Sequence, residues 1–156
     1  TVRIYLPHVA GKGQKPADQN SADEVSIPRG HETILVAEDD PFVRSSVILR
    51  IESLGYTVIS AVNGNDALSK LKANSAVDML FTDVVMPGGM SGWELADKVR
   101  EIRPGLPVVF SSGYALEMLT HQGRAPGKSI ILSKPYRKAE LAERLREALT
   151  GNFVGQ

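Results

Sequence analysis

Hydrophobic residues fall along this chain in two rhythms. Four short runs are apolar almost throughout, and each closes on polar residues. Ile34-Leu35-Val36-Ala37 leads into Glu38-Asp39-Asp40, and Met79-Leu80-Phe81-Thr82 leads into Asp83. Val108-Val109-Phe110 leads into Ser111-Ser112, and Ile130-Ile131-Leu132-Ser133 leads into Lys134-Pro135. Uniform runs of this length predict strands buried on both faces, as in a parallel sheet covered by helices. A further strand is expected over Tyr56 to Ser60.

Between these runs the spacing is helical. Asp40-Pro41 supplies an N-cap and a proline at the first helical position, followed by Phe42, Val43, Val47, Ile51 and Leu54, with Gly55 as the stop. Asn63-Gly64 introduces a helix through Ala67, Leu68 and Leu71. Ser91 caps another through Trp93, Leu95, Ala96 and Val99, ended by Pro104-Gly105. A fourth helix is expected over Tyr114 to Gln122, before a turn at Pro126-Gly127. A fifth runs from Arg137 to Leu149 and buries Leu141, Leu145, Ala148 and Leu149. Alternating strands and helices imply right-handed βαβ units. The fold class is therefore α/β, a doubly wound parallel sheet with five strands and five helices.

The pattern also divides the chain. Residues 1–7 alternate like a single strand, residues 8–30 are rich in Gly, Lys, Gln, Ser and Pro and read as a linker, residues 31–149 form the domain, and residues 150–156 are a tail. A start at Thr1 reads as a fragment of a longer protein. With 156 residues there is room for one domain with a proper core. Lysine plus arginine and aspartate plus glutamate each total 18, which argues against a polyanion binder, so no nucleic-acid partner is expected. Cysteine is absent, which excludes disulfides and thiolate metal sites. No stretch is apolar for long enough to cross a bilayer, so a cytoplasmic location without direct membrane contact is expected.

In open parallel sheets, sites form outside the carboxyl ends of the strands. Glu38, Asp39, Asp83, Ser111 and Lys134 would meet there. Two carboxylates about 4 Å apart repel by roughly 4 kcal/mol at an effective dielectric near 20, so the acids call for a cation. Magnesium, or manganese, suits a few hard oxygen ligands and leaves room for phosphate oxygens. Asp83 would then attack phosphorus as a carboxylate nucleophile, Lys134 would pair with remaining charge, and Ser111 would donate to a phosphate oxygen.

Glu38-Asp39, Asp83 followed by Met86-Pro87, Ser111 and Lys134-Pro135 together resemble the response-regulator receiver domain of two-component signalling. The resemblance covers residues 31–149 and implies a flavodoxin-like (CheY-like) fold with strand order 2-1-3-4-5. It implies Asp83 as phosphoacceptor and Mg2+ held by Glu38, Asp39, Asp83 and the Val85 carbonyl. It also implies Ser111 as the switch hydroxyl and a cis bond between Lys134 and Pro135. The partner would be a histidine kinase core or a histidine phosphotransfer protein. Residues 1–7 resemble the last strand of a kinase ATP-binding domain, which would make this the C-terminal receiver of a hybrid sensor histidine kinase. No ATP-binding loop is present, so the chain is not an autokinase by itself.

This chain departs from that family in three places. Gly88-Gly89-Met90-Ser91 makes the loop after Pro87 one residue longer than usual. Ile131 stands where an aromatic switch residue is common. Val85 and Gly113 occupy positions that modulate hydrolysis, and neither can orient a water, so a slowly hydrolysing phospho-aspartate is expected. Two alternatives remain: a metal-dependent phosphatase acting through an aspartyl phosphate, for which Val85 lacks the acid needed two residues after Asp83, and a degenerate module that is never phosphorylated. Simpler roles are expected elsewhere. Asp40 reads as a helix cap, Ser112 as a loop hydroxyl, and Phe42, Trp93 and Tyr136 as core or half-buried residues. His8, His31 and His121 lack metal-ligand spacing, and Gly11-Lys12-Gly13 is linker.

Overall fold

The computed structural model describes residues 27–87, 89–113 and 129–151. Their element order is β1 (Thr33–Ala37), α1 (Pro41–Glu52), β2 (Thr57–Ala61), α2 (Gly64–Ala73), β3 (Met79–Asp83), α3 (Gly92–Ile102), β4 (Val108–Ser112), β5 (Ser129–Ser133) and α4 (Lys138–Thr150). The strands form one parallel sheet in the order β2-β1-β3-β4-β5, as expected. The described residues hold four helices rather than five. The helix expected over residues 114–122 lies outside them, as do the strand over residues 1–7 and nearly all of the linker.

Alternation along each strand feeds two cores. Ile34, Val36, Met79, Phe81, Val109, Ile130 and Leu132 meet Val47 and Ile51 of α1 and Leu141 and Leu145 of α4. Leu35, Ala37, Leu80, Val108 and Phe110 meet Ala67 and Leu71 of α2 and Leu95, Ala96 and Val99 of α3. Successive side chains of a strand point to opposite faces, so a sheet covered on both sides needs apolar residues at consecutive positions. That requirement is the origin of the uniform runs.

Caps fix where the helices begin. The Asp40 carboxylate accepts from Phe42 N–H at 2.8 Å and Val43 N–H at 2.9 Å, so Asp40 is the helix cap expected of it. Asn63 accepts from Asp66 N–H at 2.9 Å. Ser91 and Glu94 form a reciprocal capping box at the start of α3. Gly55, at φ 98°, turns the chain from α1 into β2.

Helix α1 departs from the expected packing. Phe42 is 85% exposed and Leu49 is 68% exposed, whereas Val47 and Ile51 are buried. At about 100° per residue, Phe42 falls on the opposite side of the helix from Ile51. Phe42 is therefore a surface residue and not part of the core. Ser112 is corrected as well: it ends β4, is buried, and is no loop hydroxyl.

Candidate functional site

The carboxyl ends of β1, β3, β4 and β5 bring the expected polar residues together. Glu38 follows β1 directly, its N–H bonded to the Ala61 carbonyl at the end of β2 at 3.2 Å. Asp83 is the last residue of β3 and stands opposite Ser111 in the register with β4. Lys134 follows β5, where its N–H donates to the Ser112 carbonyl at 2.7 Å. Parallel pairing in register thus places two carboxylates, a hydroxyl and an ammonium within a few strand spacings.

Local contacts hold the backbone around them. Arg44 of α1 donates to the carbonyls of Glu38 at 2.7 Å and Asp39 at 3.1 Å, which fixes the acidic turn. Gly92 begins α3 so close to β3 that a Cβ there would overlap the Asp83 carbonyl oxygen. Its N–H donates to the Val84 carbonyl at 3.0 Å. Only glycine lets α3 close over the strand end that carries Asp83. Sequence reading missed both Arg44 and Gly92. The close approach at Gly92 is what an isolated glycine at a helix start can signal, whereas the targets of Arg44 are backbone oxygens with no side-chain signature.

Lys134 is the centre of the charge arrangement. Its ammonium donates to Asp83 Oδ2 at 2.8 Å and lies 3.4 Å from Glu38 Oε2. The other Asp83 oxygen accepts from Val85 N–H at 3.3 Å. Burial alone would lower the Lys134 pKa, but the Asp83 hydrogen bond and charge, with Glu38, hold it above its usual value. Glu38 moves upward, first because it is buried and then because Asp83 repels it, with Lys134 offsetting part of this. Asp39 is half-buried, and its carboxylate has no hydrogen bond or ion pair among the described residues. Glu38 and Asp83 therefore share one close ammonium.

Ser111 is fully buried, and its hydroxyl makes no hydrogen bond of normal geometry. An unpartnered buried hydroxyl costs about 1–3 kcal/mol, so it stands ready for an acceptor. Trp93, half-buried, lies against Phe110 with ring centroids 4.1 Å apart. Val85 is 51% exposed at the mouth of the site. Ile131 joins the core on the α2 and α3 side. The Lys134–Pro135 bond is cis, as expected.

The donors suit a hard divalent cation in kind: carboxylates from two strand ends and a neighbouring carbonyl, with charge to spare. They are not assembled as a ready cage, since no three acidic or imidazole side chains among the described residues are grouped for metal. Lys134 stands between Glu38 and Asp83, where a cation would otherwise offset their repulsion.

A doubly wound sheet with acids, a hydroxyl and a lysine at its carboxyl end defines a class of phosphoryl-handling signalling modules. Residues 34–146 match the family model of the response regulator receiver domain, and the chain belongs to that family. It is similar to the response regulator receiver protein CpdR of Brucella abortus, 36% identical over 116 residues, covering 74% of this chain and 95% of that protein. It is also similar to the sensor kinase CckA of Brucella abortus, 31% identical over 155 residues, covering 96% of this chain but only 16% of the kinase. Among solved structures, the receiver domain of the hybrid histidine kinase CckA superposes with a TM-score of 0.62 at 34% identity, covering 75% of this chain and 98% of that one. The protein is a receiver domain of two-component signalling.

Proposed function

We propose that Asp83 is the phosphoacceptor, taking a phosphoryl group from a phosphohistidine. The nitrogen–phosphorus bond of the donor breaks as a bond forms between phosphorus and Asp83 oxygen, and the imidazole leaves as the neutral base after protonation. The observation that carries this reading is the Asp83 carboxylate held 2.8 Å from Lys134 beside the buried, unpartnered Ser111 hydroxyl. Lys134 offsets the charge that arrives with the phosphoryl group, and Ser111 donates to one of its oxygens. Glu38, Asp39, Asp83 and the Val85 carbonyl would hold Mg2+ or Mn2+, which when bound neutralises charge on the transferring group. Asp83→Asn is expected to abolish acid-stable, base-labile labelling from acetyl phosphate with Mg2+. Labelling that persists in that variant overturns the assignment.

The donor is a histidine kinase core or a histidine phosphotransfer protein. Phe42 and Val43, exposed on α1, line a cavity of about 450 Å³ beside Lys134, Pro135 and Tyr136. An apolar face next to the acceptor suits a helix that carries the phosphohistidine. The match to a sensor kinase extends over 96% of this chain, against 74% for the match to a free-standing receiver, which supports residues 1–30 as kinase sequence and linker. The receiver would then be the C-terminal module of a hybrid sensor kinase. Among the described residues no helix is long and apolar enough to cross a membrane, and the module would act in the cytoplasm.

The apolar side chain of Val85 at the mouth of the site supports a long-lived phospho-aspartate. Val85→Asn is expected to shorten the lifetime of the label after the donor is removed. An unchanged lifetime, or a wild-type lifetime of seconds, refutes this.

A further inference from the structure

Past Asp83 the chain alternates between core and surface. Val84 and Met86 are buried in the core shared with α2 and α3, whereas Val85 and Pro87 are exposed. Two buried neighbours thus hold the Val85 peptide groups between them. Val85 N–H donates to Asp83 Oδ1 at 3.3 Å, and the Val85 carbonyl is the backbone ligand named above for the cation.

The far side of this loop has its own anchor. Gly88 and Gly89 precede Met90 in the sequence, and glycine loses more conformational freedom on ordering than any other residue. Order imposed at Met86 is therefore poorly carried across the pair. Met90 is half-buried and packs against the same core as Val84 and Met86. It also lies against Gly64, the first residue of α2. A Cβ on Gly64 would sit 3.0 Å from Met90 Cβ and Sδ and 3.2 Å from its Cγ, closer than ordinary van der Waals contact. Gly64 thus leaves the room that Met90 fills, and an unbranched thioether suits an irregular gap. Directly afterwards Ser91 caps α3, its N–H donating to Glu94 Oε2 at 2.9 Å. An apolar residue just before a cap fixes the angle at which the chain enters the helix.

We propose that Met90 is a positioning residue for the metal site at Asp83, pinning the loop to α2 in the space left by Gly64 so that Val85 stays in place beside the acceptor. This deepens the reading of Asp83 and its metal ligands and rests on it. The thioether supplies no ligand; it acts through the backbone that Val85 presents. With Met86 on one side and Met90 on the other, the loop has two fixed points in one core. Without the second, a cation must order the Val85 carbonyl as it binds, and that ordering weakens its affinity.

The test is Mg2+ binding to the full 156-residue chain followed by backbone amide resonances, with amide exchange at Val85 measured separately in EDTA. Met90→Ala is expected to weaken Mg2+ about three- to tenfold, less than the roughly 10- to 100-fold lost with groups that hydrogen-bond to metal ligands. It should also speed exchange at Val85. Met90→Leu refills the space and is expected to stay within about twofold of wild type. Leu106→Ala opens the same core at the amino end of the sheet, and is expected to lower stability while leaving Mg2+ affinity unchanged. Gly64→Ala crowds Met90, so it should weaken Mg2+ in the wild-type background and not in Met90→Ala. A wild-type chain that binds no Mg2+ overturns the metal reading itself, and the role of Met90 with it. Wild-type binding with unchanged affinity in Met90→Ala, or an equal loss in Leu106→Ala, overturns the role of Met90 alone.

Discussion

The two ends of the sheet treat charge in opposite ways. At the amino end, groups are matched: Arg146 meets Glu32 at 2.6 Å, and Asp78 accepts from the Thr33 N–H at 2.8 Å. Arg103 donates to the carbonyls of Leu71 at 2.9 Å, Val77 at 3.1 Å and Ser75 at 3.2 Å, and also to Asn74. One guanidinium thereby ties the end of α2 and the turn into β3 to α3. The exception is the buried Tyr56 hydroxyl, which sits beside Arg146 without a hydrogen bond of good geometry. At the carboxyl end, Glu38 and Asp83 share the ammonium of Lys134, the Asp39 carboxylate has no ion pair among the described residues, and the Ser111 hydroxyl is unpartnered. The amino end is built for stability. The carboxyl end keeps its polar groups unsatisfied so that a ligand can satisfy them, a trade of stability for function seen in many sites.

That contrast can be broken first at Arg103. Arg103→Ala removes charge-assisted hydrogen bonds to several carbonyls and is expected to cost about 2 kcal/mol of stability. Chemical denaturation measures the loss, and labelling of Asp83 by acetyl phosphate should keep its rate in the folded protein. A slower reaction would mean that the two ends are coupled.

A smaller effect of opposite sign is expected at the other end. Glu38→Gln removes one of the carboxylates that repel each other around Lys134. Melting in EDTA at pH 7 should show a rise on the order of 2 °C, while Mg2+ affinity falls. A lower melting temperature would show that the Lys134 contact to Glu38 outweighs the repulsion.

The subtlest test uses pH. Burial raises the Glu32 pKa, but Arg146 and neighbouring N–H groups outweigh it and hold it below 4.5. The stabilisation from a lowered acid is present above its unfolded pKa and fades as pH falls through its folded one. Arg146 and Tyr56 are the titratable groups that face it. Wild type should therefore be more stable than Glu32→Gln at pH 6, with the gap closing below pH 4.5. A constant gap in scanning calorimetry across that range would exclude an ionic origin.

The strands could be read from the sequence because a covered parallel sheet leaves few other uses for runs such as Ile34 to Ala37, whereas their order followed only from the family resemblance. Asp40 and Ser91 were equally legible, since capping chemistry is local. Phe42 misled because apolar residues surround α1, and composition then does not reveal which side faces the core. Tyr136 read as half-buried packing, and it is packed against the core under α1 and α4. Arg103 was invisible because its partners are main-chain oxygens, and every residue has one.

Gly92 has a consequence beyond the space it saves. With no side chain between α3 and the Asp83 carbonyl, any shift at that strand tip must be felt at once by the first turn of the helix. The direct abutment offers a mechanical linkage, so a change of covalent state at Asp83 could be transmitted along α3 as displacement, without a relay of intervening rotamers.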